Sequence, residues 1–252
     1  MTTRETRFRA TGTTAAAGLG ARERGKQEKL ARLTAAARRL FYEQGFDGAT
    51  TQQIASLAGV ATGTLFLYAP TKEDLLILVF VDEIGEVLDE ALRSLPADGV
   101  AERLNHLFQR MLSYHTRDMD LSRRMMKSLV FVANDQTRGP AFAITETILR
   151  AIADLVADGQ AGGAIRSDVD PAEAAGYLFA VYMNAAARLF SGMGDLGEVR
   201  GFLERGIRLQ IEGLAPAGMT EILAQPGARA PAKIGYQMTK LKRRLRTDAR
   251  GR

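Results

Sequence analysis

The chain has 252 residues, 46% of them hydrophobic, so it can bury the core of one large domain or of two modest ones. It contains no cysteine, which excludes disulfides, thiolate metal sites and cysteine nucleophiles and fits a reducing compartment. The net charge is only +5, but residues 1–72 carry +6, residues 73–228 carry −9 and residues 229–252 carry +8. A basic beginning and a basic end therefore flank an acidic body.

Export and membrane association are not expected. The longest uninterrupted apolar run, Leu75–Val81, is far shorter than the roughly 20 residues that a membrane-spanning helix needs. The N-terminus carries charges but no apolar segment typical of a secretion signal. The sequence therefore predicts a cytoplasmic protein without a membrane partner.

The first elements in chain order are an irregular arm and a helix. Residues 1–21 are rich in Thr, Ala, Gly and Arg without periodicity, which predicts a disordered, mildly basic arm. Apolar residues at three- and four-residue spacing then predict a helix over about 26–44, which Gln44-Gly45 ends. The residues with this spacing are Leu30, Leu33, Ala37, Leu40 and Phe41.

The rest of the chain predicts further helices and then a tail. Thr71, with Asp74 three residues later, is typical of a capped helix start, and this helix reaches Ser94. No strand alternation is visible, so the predicted fold class is all-α. Helices are predicted near 99–116, 120–134, 140–160, 171–191 and 196–213, with breaks at Pro140, 159–164, Pro171 and 191–197, before a linker and basic tail over 215–252.

Residues 50–70, TTQQIASLAGVATGTLFLYAP, predict two short helices joined by a tight turn. Thr50 and Gln53 form a capping-box pattern, so the first of them begins at Thr51. Neither helix has enough apolar surface to be stable alone. We expect both to pack on the preceding helix in a single shared core.

The spacing within this segment is that of a helix-turn-helix. Ala55 is small enough for the helices to approach, Gly59 suits a left-handed turn, and Leu65 packs back into the core. An ordinary helical hairpin inside a bundle is the alternative interpretation. The surrounding residues favour DNA, because a basic helix precedes the pair and the short hydroxyl side chains suit phosphate and base edges. The residues expected to contact DNA are Thr50, Thr51, Ala61, Thr62, Gly63, Thr64, Phe66, Leu67, Tyr68 and Lys72.

The stretch GFDGATTQQIASLAGVATGTLFLYAPTKEDLL, residues 45–76, closely resembles the DNA-binding domain of the TetR family of transcriptional regulators. The resemblance implies a three-helix DNA-binding domain over 22–72, followed by a helical effector-binding and dimerisation domain over 73–214. It also implies a homodimer that reads a palindrome in double-stranded DNA and is released by a small-molecule effector. The alternatives are an activator or non-specific DNA binder, or a helical enzyme acting on small molecules.

The segment departs from the family pattern at four positions. Ala61 stands where the family usually has Ser or Thr, and Phe66 where a phosphate-binding Tyr is usual. Leu67 replaces a commonly polar residue, and Ala69 replaces a frequent Phe. These changes predict a weaker contact with phosphate.

Residues 111–131 are rich in Met and aromatic side chains. Plain helical core is one interpretation, and a pocket for a largely apolar effector is the other, because flexible Met side chains suit adaptable apolar surfaces. The nearby cations Arg117, Arg123, Arg124 and Lys127 either bind an anionic part of that effector or are solvated surface charge. The candidate pocket residues are Met111, Tyr114, His115, Met125, Met126, Leu129, Phe142, Phe179 and Met183.

The last two predicted helices, 171–191 and 196–213, contain many Ala and Gly residues, which permit close helix approach. The family places its dimer interface on these helices, so we expect self-association there. Burial inside the protomer is the competing interpretation. It applies to a stripe that consists of Leu203, Ile207, Gln210 and Leu214.

Other patterns do not predict chemistry. Residues 192–197 match GxGxxG but follow a helix, so a connecting loop is favoured over a dinucleotide site. His106 and His115 are nine residues apart on one helix and point to opposite faces, so they form no metal pair. We expect no catalytic residue, metal or cofactor. The tail from Lys240 to Arg252 is either a solubilising end or a sequence-independent DNA contact.

Overall fold

The computed structural model describes residues 20–130 and 135–216. Within these residues the chain forms nine α-helices and no β-strand, which confirms the all-α prediction. The predicted basic tail beyond residue 216 and almost all of the predicted arm lie outside the described residues. None of the described helices combines the length and the apolarity that a membrane crossing requires.

The first three helices are α1 (Ala21–Gly48), α2 (Thr51–Leu57) and α3 (Thr62–Phe66). α1 begins earlier than the predicted start at 26, and it is kinked at Gly45, whose φ of 74° lies in the left-handed region. The predicted break at Gln44-Gly45 is therefore confirmed, because glycine adopts this φ without a steric penalty.

The following helices are longer: α4 (Lys72–Arg93), α5 (Val100–His115), α6 (Met119–Val130), α7 (Asp135–Ala161), α8 (Pro171–Ser191) and α9 (Leu196–Gly213). Side chains cap four of them at the N-terminus, and at α6 Asp118 Oδ1 accepts from Leu121 N at 2.9 Å. Thr71 Oγ1 accepts from Asp74 N at 3.0 Å, Asp170 Oδ1 accepts from Ala172 N at 2.9 Å, and Asp195 Oδ1 accepts from Glu198 N at 2.8 Å. These bonds satisfy backbone donors that the first turn of a helix leaves free.

The predicted break at Pro140 is wrong. Pro140 lies inside α7, which begins at Asp135 and not at residue 140. A proline removes the hydrogen bond to the carbonyl four residues earlier, but near the start of a helix the cost is smaller than in the interior. α7 therefore continues through Pro140 to Ala161.

α4 is the central helix of the larger part of the chain. Its residues Leu75 to Phe80 are all buried, so it is apolar on every side at this level. It packs against α1, α5, α6 and α7, while α8 packs against α7 and α9, and α9 against α5. The three-helix unit α1–α3 thus joins the other helices mainly through the packing of α1 on α4.

Candidate DNA-binding surface and effector site

The three N-terminal helices share one small core. Leu33 of α1, Ala55 of α2 and Leu65 of α3 are at most 1% exposed. Phe41 and Ile54 are also fully buried. The prediction that two short helices are held by each other and by the preceding helix is therefore confirmed.

The turn between α2 and α3 has the predicted left-handed geometry. Gly59 has a φ of 66°, and Val60 N donates to Ala55 O at 3.0 Å across the turn. A residue with a Cβ would be strained at this φ. The turn directs α3 away from α2 and leaves one of its sides free.

The free side of α3 carries most of the residues predicted to contact DNA. Leu65 points into the core, whereas Phe66 is 44% exposed and Leu67 is 69% exposed. Ala61 is the N-cap of α3 but has no side chain that can accept a hydrogen bond. Ala61 and Gly63 are exposed, and Thr62, Thr64 and Tyr68 are half-buried.

Two predicted phosphate contacts already have partners within the domain. Thr50 Oγ1 donates to Gln53 Oε1 at 2.8 Å and accepts from Gln53 N at 3.2 Å, so its hydroxyl serves the helix cap. Thr51 follows it half-buried in the first turn of α2. Lys72 Nζ donates to Ala49 O at 3.1 Å, and this leaves two of its three protons for a phosphate.

A buried carboxylate joins the DNA-binding unit to the rest of the chain. Glu83 of α4 is only 2% exposed, and its Oε1 lies 2.9 Å from Nε of Arg38 on α1. Tyr42 of α1 and Tyr114 of α5 both donate to Glu83 Oε2, at 3.1 and 2.9 Å. Arg38 also donates two bonds to Glu86, at 3.1 and 3.0 Å. We refer to Arg38, Tyr42, Glu83, Glu86 and Tyr114 as the junction cluster.

The pKa values within the junction cluster favour its present protonation state. The hydrogen bonding that Arg38 donates to the Glu86 carboxylate raises the pKa of Arg38, so the guanidinium stays charged. Burial and the nearby Glu83 carboxylate raise the pKa of Tyr42 to about 12, and the same two causes raise the pKa of Tyr114. Both phenols therefore remain donors to Glu83 at neutral pH.

A second contact joins α6 to the DNA-binding unit. Arg124 forms an ion pair with Asp47, and its guanidinium lies 5.2 Å from the centre of the Phe46 ring. Both partners lie past the kink in α1. Arg124, predicted either to bind an effector anion or to be solvated surface charge, is exposed and also links the two parts of the chain.

Most of the predicted effector residues lie together in the interior around α5. Met111, Tyr114, His115 and Met125 are buried, and a cavity of about 10 Å³ is lined by Tyr42, Glu83, Tyr114 and Met125 among others. Met126, Leu129, Phe179 and Met183 are partly buried and pack against the same core. Phe142 does not join them, because it lies on the outer side of α7 and is 66% exposed.

His115 is the most unusual polar group of this interior. Its Nε2 lies 3.0 Å from the hydroxyl of Tyr182 on α8, and its Nδ1 has no hydrogen-bond partner. Aromatic rings of Phe80, Tyr114 and Phe190 surround it. Burial lowers the pKa of His115 to about 4, so the imidazole is neutral at neutral pH.

The sequence did not point to several of these residues. Arg38 and Tyr42 are four residues apart on α1 and therefore share a face, which was the available signal for two members of the junction cluster. Glu83 and Tyr182 gave no local signal, because their partners come from other helices.

The stripe on α9 is partly used inside the protomer. Leu203 and Ile207 are at most 1% exposed, which supports the competing interpretation for these two residues. α8 and α9 approach so closely that a Cβ on Gly206 would lie 2.7 Å from a methyl carbon of Val181. The exposed apolar side chains of this pair are instead Tyr177 (61%) and Leu209 (71%).

Comparisons with known proteins agree with this arrangement. A family model for bacterial regulatory proteins of the tetR family matches residues 33–79. The chain is 26% identical over 146 residues to the fatty acid metabolism regulator protein of Bacillus subtilis (strain 168), a match that covers 58% of this chain and 75% of that relative.

Solved structures of the same kind are similar over most of their length. Thermus thermophilus FadR, a TetR family transcriptional repressor in complex with lauroyl-CoA, is 26% identical with a TM-score of 0.61, covering 81% of this chain and 100% of that one. FadR from Bacillus subtilis in complex with stearoyl-CoA shares the fold, with 21% identity, a TM-score of 0.56, and coverage of 73% of this chain and 98% of that one.

The buried three-helix core, the left-handed turn at Gly59 and the exposed side of α3 define a helix-turn-helix transcriptional regulator. Residues 33–79, which contain this unit, match the family model of bacterial regulatory proteins of the tetR family. The resemblance to transcriptional regulators seen in residues 45–76 is therefore confirmed, because the family model covers the same residues.

Proposed function

We propose that this protein is a dimeric repressor that binds a palindromic operator through two copies of α3 and is released by a long-chain fatty acyl-CoA. The observation that carries the effector class is the similarity to Thermus thermophilus FadR over the whole length of that protein, whose structure contains lauroyl-CoA. The Met-rich, aromatic interior around α5 supports an apolar acyl chain as the buried part of the effector.

An acyl chain needs more room than this interior has. The cavity beside Tyr114 is about 10 Å³, whereas sites for ligands of this size measure about 300–1,000 Å³. Binding therefore requires helices around α5 and α6 to move apart. The effector stabilises the separated arrangement only by binding to it more tightly than to the packed one.

The junction cluster connects such a movement to the DNA-binding unit. Tyr42 and Tyr114 line the cavity and also hold Glu83, whose ion pair with Arg38 reaches α1. An acyl chain that displaces Tyr114 removes one of the hydrogen bonds to the buried Glu83 carboxylate. We infer that α1 then shifts on α4 and changes the spacing of the two α3 helices in the dimer.

The phosphates of the coenzyme need cations outside the apolar interior. Arg117 follows α5, is exposed, and its guanidinium lies 5.7 Å from the centre of the Tyr114 ring. Arg124, by contrast, is already paired with Asp47. Arg117 is therefore the better candidate for binding a phosphate at the mouth of the cavity.

The dimer is proposed to form through the exposed sides of α8 and α9. Tyr177 and Leu209 are exposed in the protomer. Gln210, the residue after Leu209, donates from Nε2 to Tyr177 O at 3.3 Å, so Tyr177 and Leu209 lie near each other on this helix pair. A self-complementary apolar patch is what a two-fold dimer buries.

The effector class is tested with a series of acyl-CoAs of increasing chain length. Operator duplexes are first selected from a random DNA library with the full chain, and their affinity is then measured by fluorescence anisotropy with each acyl-CoA present. We expect the effector's affinity to rise by about 15-fold for every two carbons added, because each buried CH₂ contributes about 0.8 kcal/mol. Free coenzyme A and exposed-site variant Met193→Ala are the controls.

The outcomes separate the alternatives. Operator affinity that no acyl-CoA changes contradicts the effector assignment but leaves DNA binding intact. Selection that returns no preferred sequence indicates the non-specific binder. Transcription that rises with the DNA-bound protein in a purified system indicates the activator.

A further inference from the structure

The recognition helix lacks every side chain that reads a base by paired hydrogen bonds. Residues 61–68, ATGTLFLY, contain no Arg, Lys, Asn, Gln, Asp or Glu. Arginine and lysine are the usual readers of guanine, asparagine and glutamine those of adenine, and acidic residues those of cytosine. Base recognition by this segment therefore depends on hydroxyl, methyl and larger apolar groups.

The side of α3 opposite the core presents an apolar side chain. Gly63 and Leu67 are four residues apart and share the face that points away from buried Leu65. Gly63 is exposed, and a Cβ built there would meet nothing within 4 Å, so the backbone can approach a groove closely at this point. Leu67 is 69% exposed one turn later, with Phe66 beside it at 44%.

Only one base offers an apolar partner in the major groove. Thymine carries a C5-methyl group there, whereas the other bases present hydrogen-bond donors and acceptors. An exposed leucine on a surface that docks in that groove gains free energy by covering a methyl group and loses it by covering a polar edge.

We propose that Leu67, assisted by Phe66, reads thymine methyl groups, so that each operator half-site has a thymine at the position that Leu67 meets. The inference rests on the DNA-binding function and adds the base that the surface prefers. The half-buried hydroxyls of Thr62 and Thr64 are left to bind phosphates or neighbouring base edges.

The test replaces thymine by deoxyuridine, which pairs identically and lacks only the methyl group. Operator duplexes selected with the full chain are resynthesised with deoxyuridine in place of one thymine in each half-site, at symmetric positions. The affinity of the protein for each duplex is then measured by fluorescence anisotropy. For at least one pair we expect a loss of about fourfold per methyl group removed, the equivalent of burying one CH₂.

Variants assign the contact to a side chain. Leu67→Ala is expected to bind the thymine and deoxyuridine operators equally at that position, because the group that covers the methyl is gone. Leu57→Ala, which truncates a 47%-exposed leucine on α2, is the matched control and should keep the sensitivity. Thermal melting by circular dichroism verifies that each variant is folded.

Three results overturn the proposal. The first is that no position of the selected half-sites requires thymine. The second is that replacing thymine by deoxyuridine changes the affinity less than twofold at every position. The third is a full deoxyuridine effect that persists in Leu67→Ala. None of these removes operator binding itself, whereas failure to select any operator contradicts the sequence-specific binding of the proposed function and this inference together.

Discussion

The DNA-binding helices α1–α3 and the longer helices α4–α9 bury different kinds of side chain. In the first region the buried groups are apolar except Thr34, whose hydroxyl donates to the Leu30 carbonyl of its own helix. The second region buries Asp74, Glu83 and His115. Buried polar groups cost free energy unless partners satisfy them.

The location of those partners explains why the two regions respond differently to change. Glu83 is held by Arg38, Tyr42 and Tyr114, and Asp74 accepts from Thr137 of α7 at 2.8 Å. The partners of Glu83 are all on other helices, so this carboxylate is satisfied only in one arrangement of the helices. Asp74 depends on that arrangement through Oδ1 alone, because its Oδ2 accepts from Thr71 at the start of its own helix. The first region presents a fixed surface, while the second has interactions that a movement of helices breaks.

The largest expected effect comes from breaking the junction cluster. Arg38→Met leaves the Glu83 carboxylate buried without its cation and should lower the free energy of unfolding by about 3 kcal/mol. This value is at the low end of the losses measured for broken buried ion pairs, because Arg38 is partly exposed. Urea denaturation measures it. Arg39→Met removes the exposed ion pair with Glu43 on the same helix and should cost less than about 0.5 kcal/mol. Equal losses in the two variants would show that the junction cluster has no special role.

The next effect concerns His115 and pH. The folded-state pKa of about 4 lies below the ordinary 6.5, so the unfolded chain binds the proton more tightly. This contribution to stability is therefore fully present above pH 6.5 and is lost as the pH falls towards 4. His115→Gln should reduce the loss of stability between pH 7 and pH 4.5 by about 2 kcal/mol. Parallel curves of unfolding free energy against pH for the two proteins would contradict the burial of a neutral imidazole.

A smaller effect distinguishes the protomer interior from the proposed dimer surface. Leu209→Glu places a charge on an exposed apolar site and should weaken dimerisation by about tenfold, or about 1.4 kcal/mol. Sedimentation velocity over a range of concentrations measures the change. Met193→Glu, which alters an exposed methionine in the loop between α8 and α9, is the control. A dimer constant unchanged by the α9 variant would remove this face from the interface.

The smallest expected effect is a gain of stability in the first region. Ala61 is the N-cap of α3 without a capping hydrogen bond, so Ala61→Ser supplies an acceptor for a free backbone N–H. We expect a stabilisation of about 0.5–1 kcal/mol in thermal unfolding. Gly99, the uncapped start of α5, offers a comparison outside the DNA-binding unit through Gly99→Ser, for which a gain of only a few tenths of a kcal/mol is expected. A loss of stability in the Ala61 variant would mean that the site has no room for the hydroxyl.

Local signals predicted the first region well and the second only in outline. The capping pair Thr50–Gln53 and the turn at Gly59 involve residues close in sequence, and both are present as predicted. The same holds for the capping pair Thr71–Asp74 at the start of the second region. The length of α7 was misjudged, because the cost of Pro140 depends on where the helix begins. The junction cluster could not be predicted, since Arg38 and Glu83 meet only once α1 has packed on α4.

The central claim is that an acyl chain in the interior and the operator on α3 compete through the junction cluster. It is tested most directly by measuring the affinity of palmitoyl-CoA by calorimetry with and without saturating operator, beside the operator affinity with and without palmitoyl-CoA. We predict that both affinities fall by the same factor, within about 5- to 150-fold, because coupling between two binding sites is reciprocal. Tight binding of palmitoyl-CoA that leaves operator affinity unchanged would contradict the account.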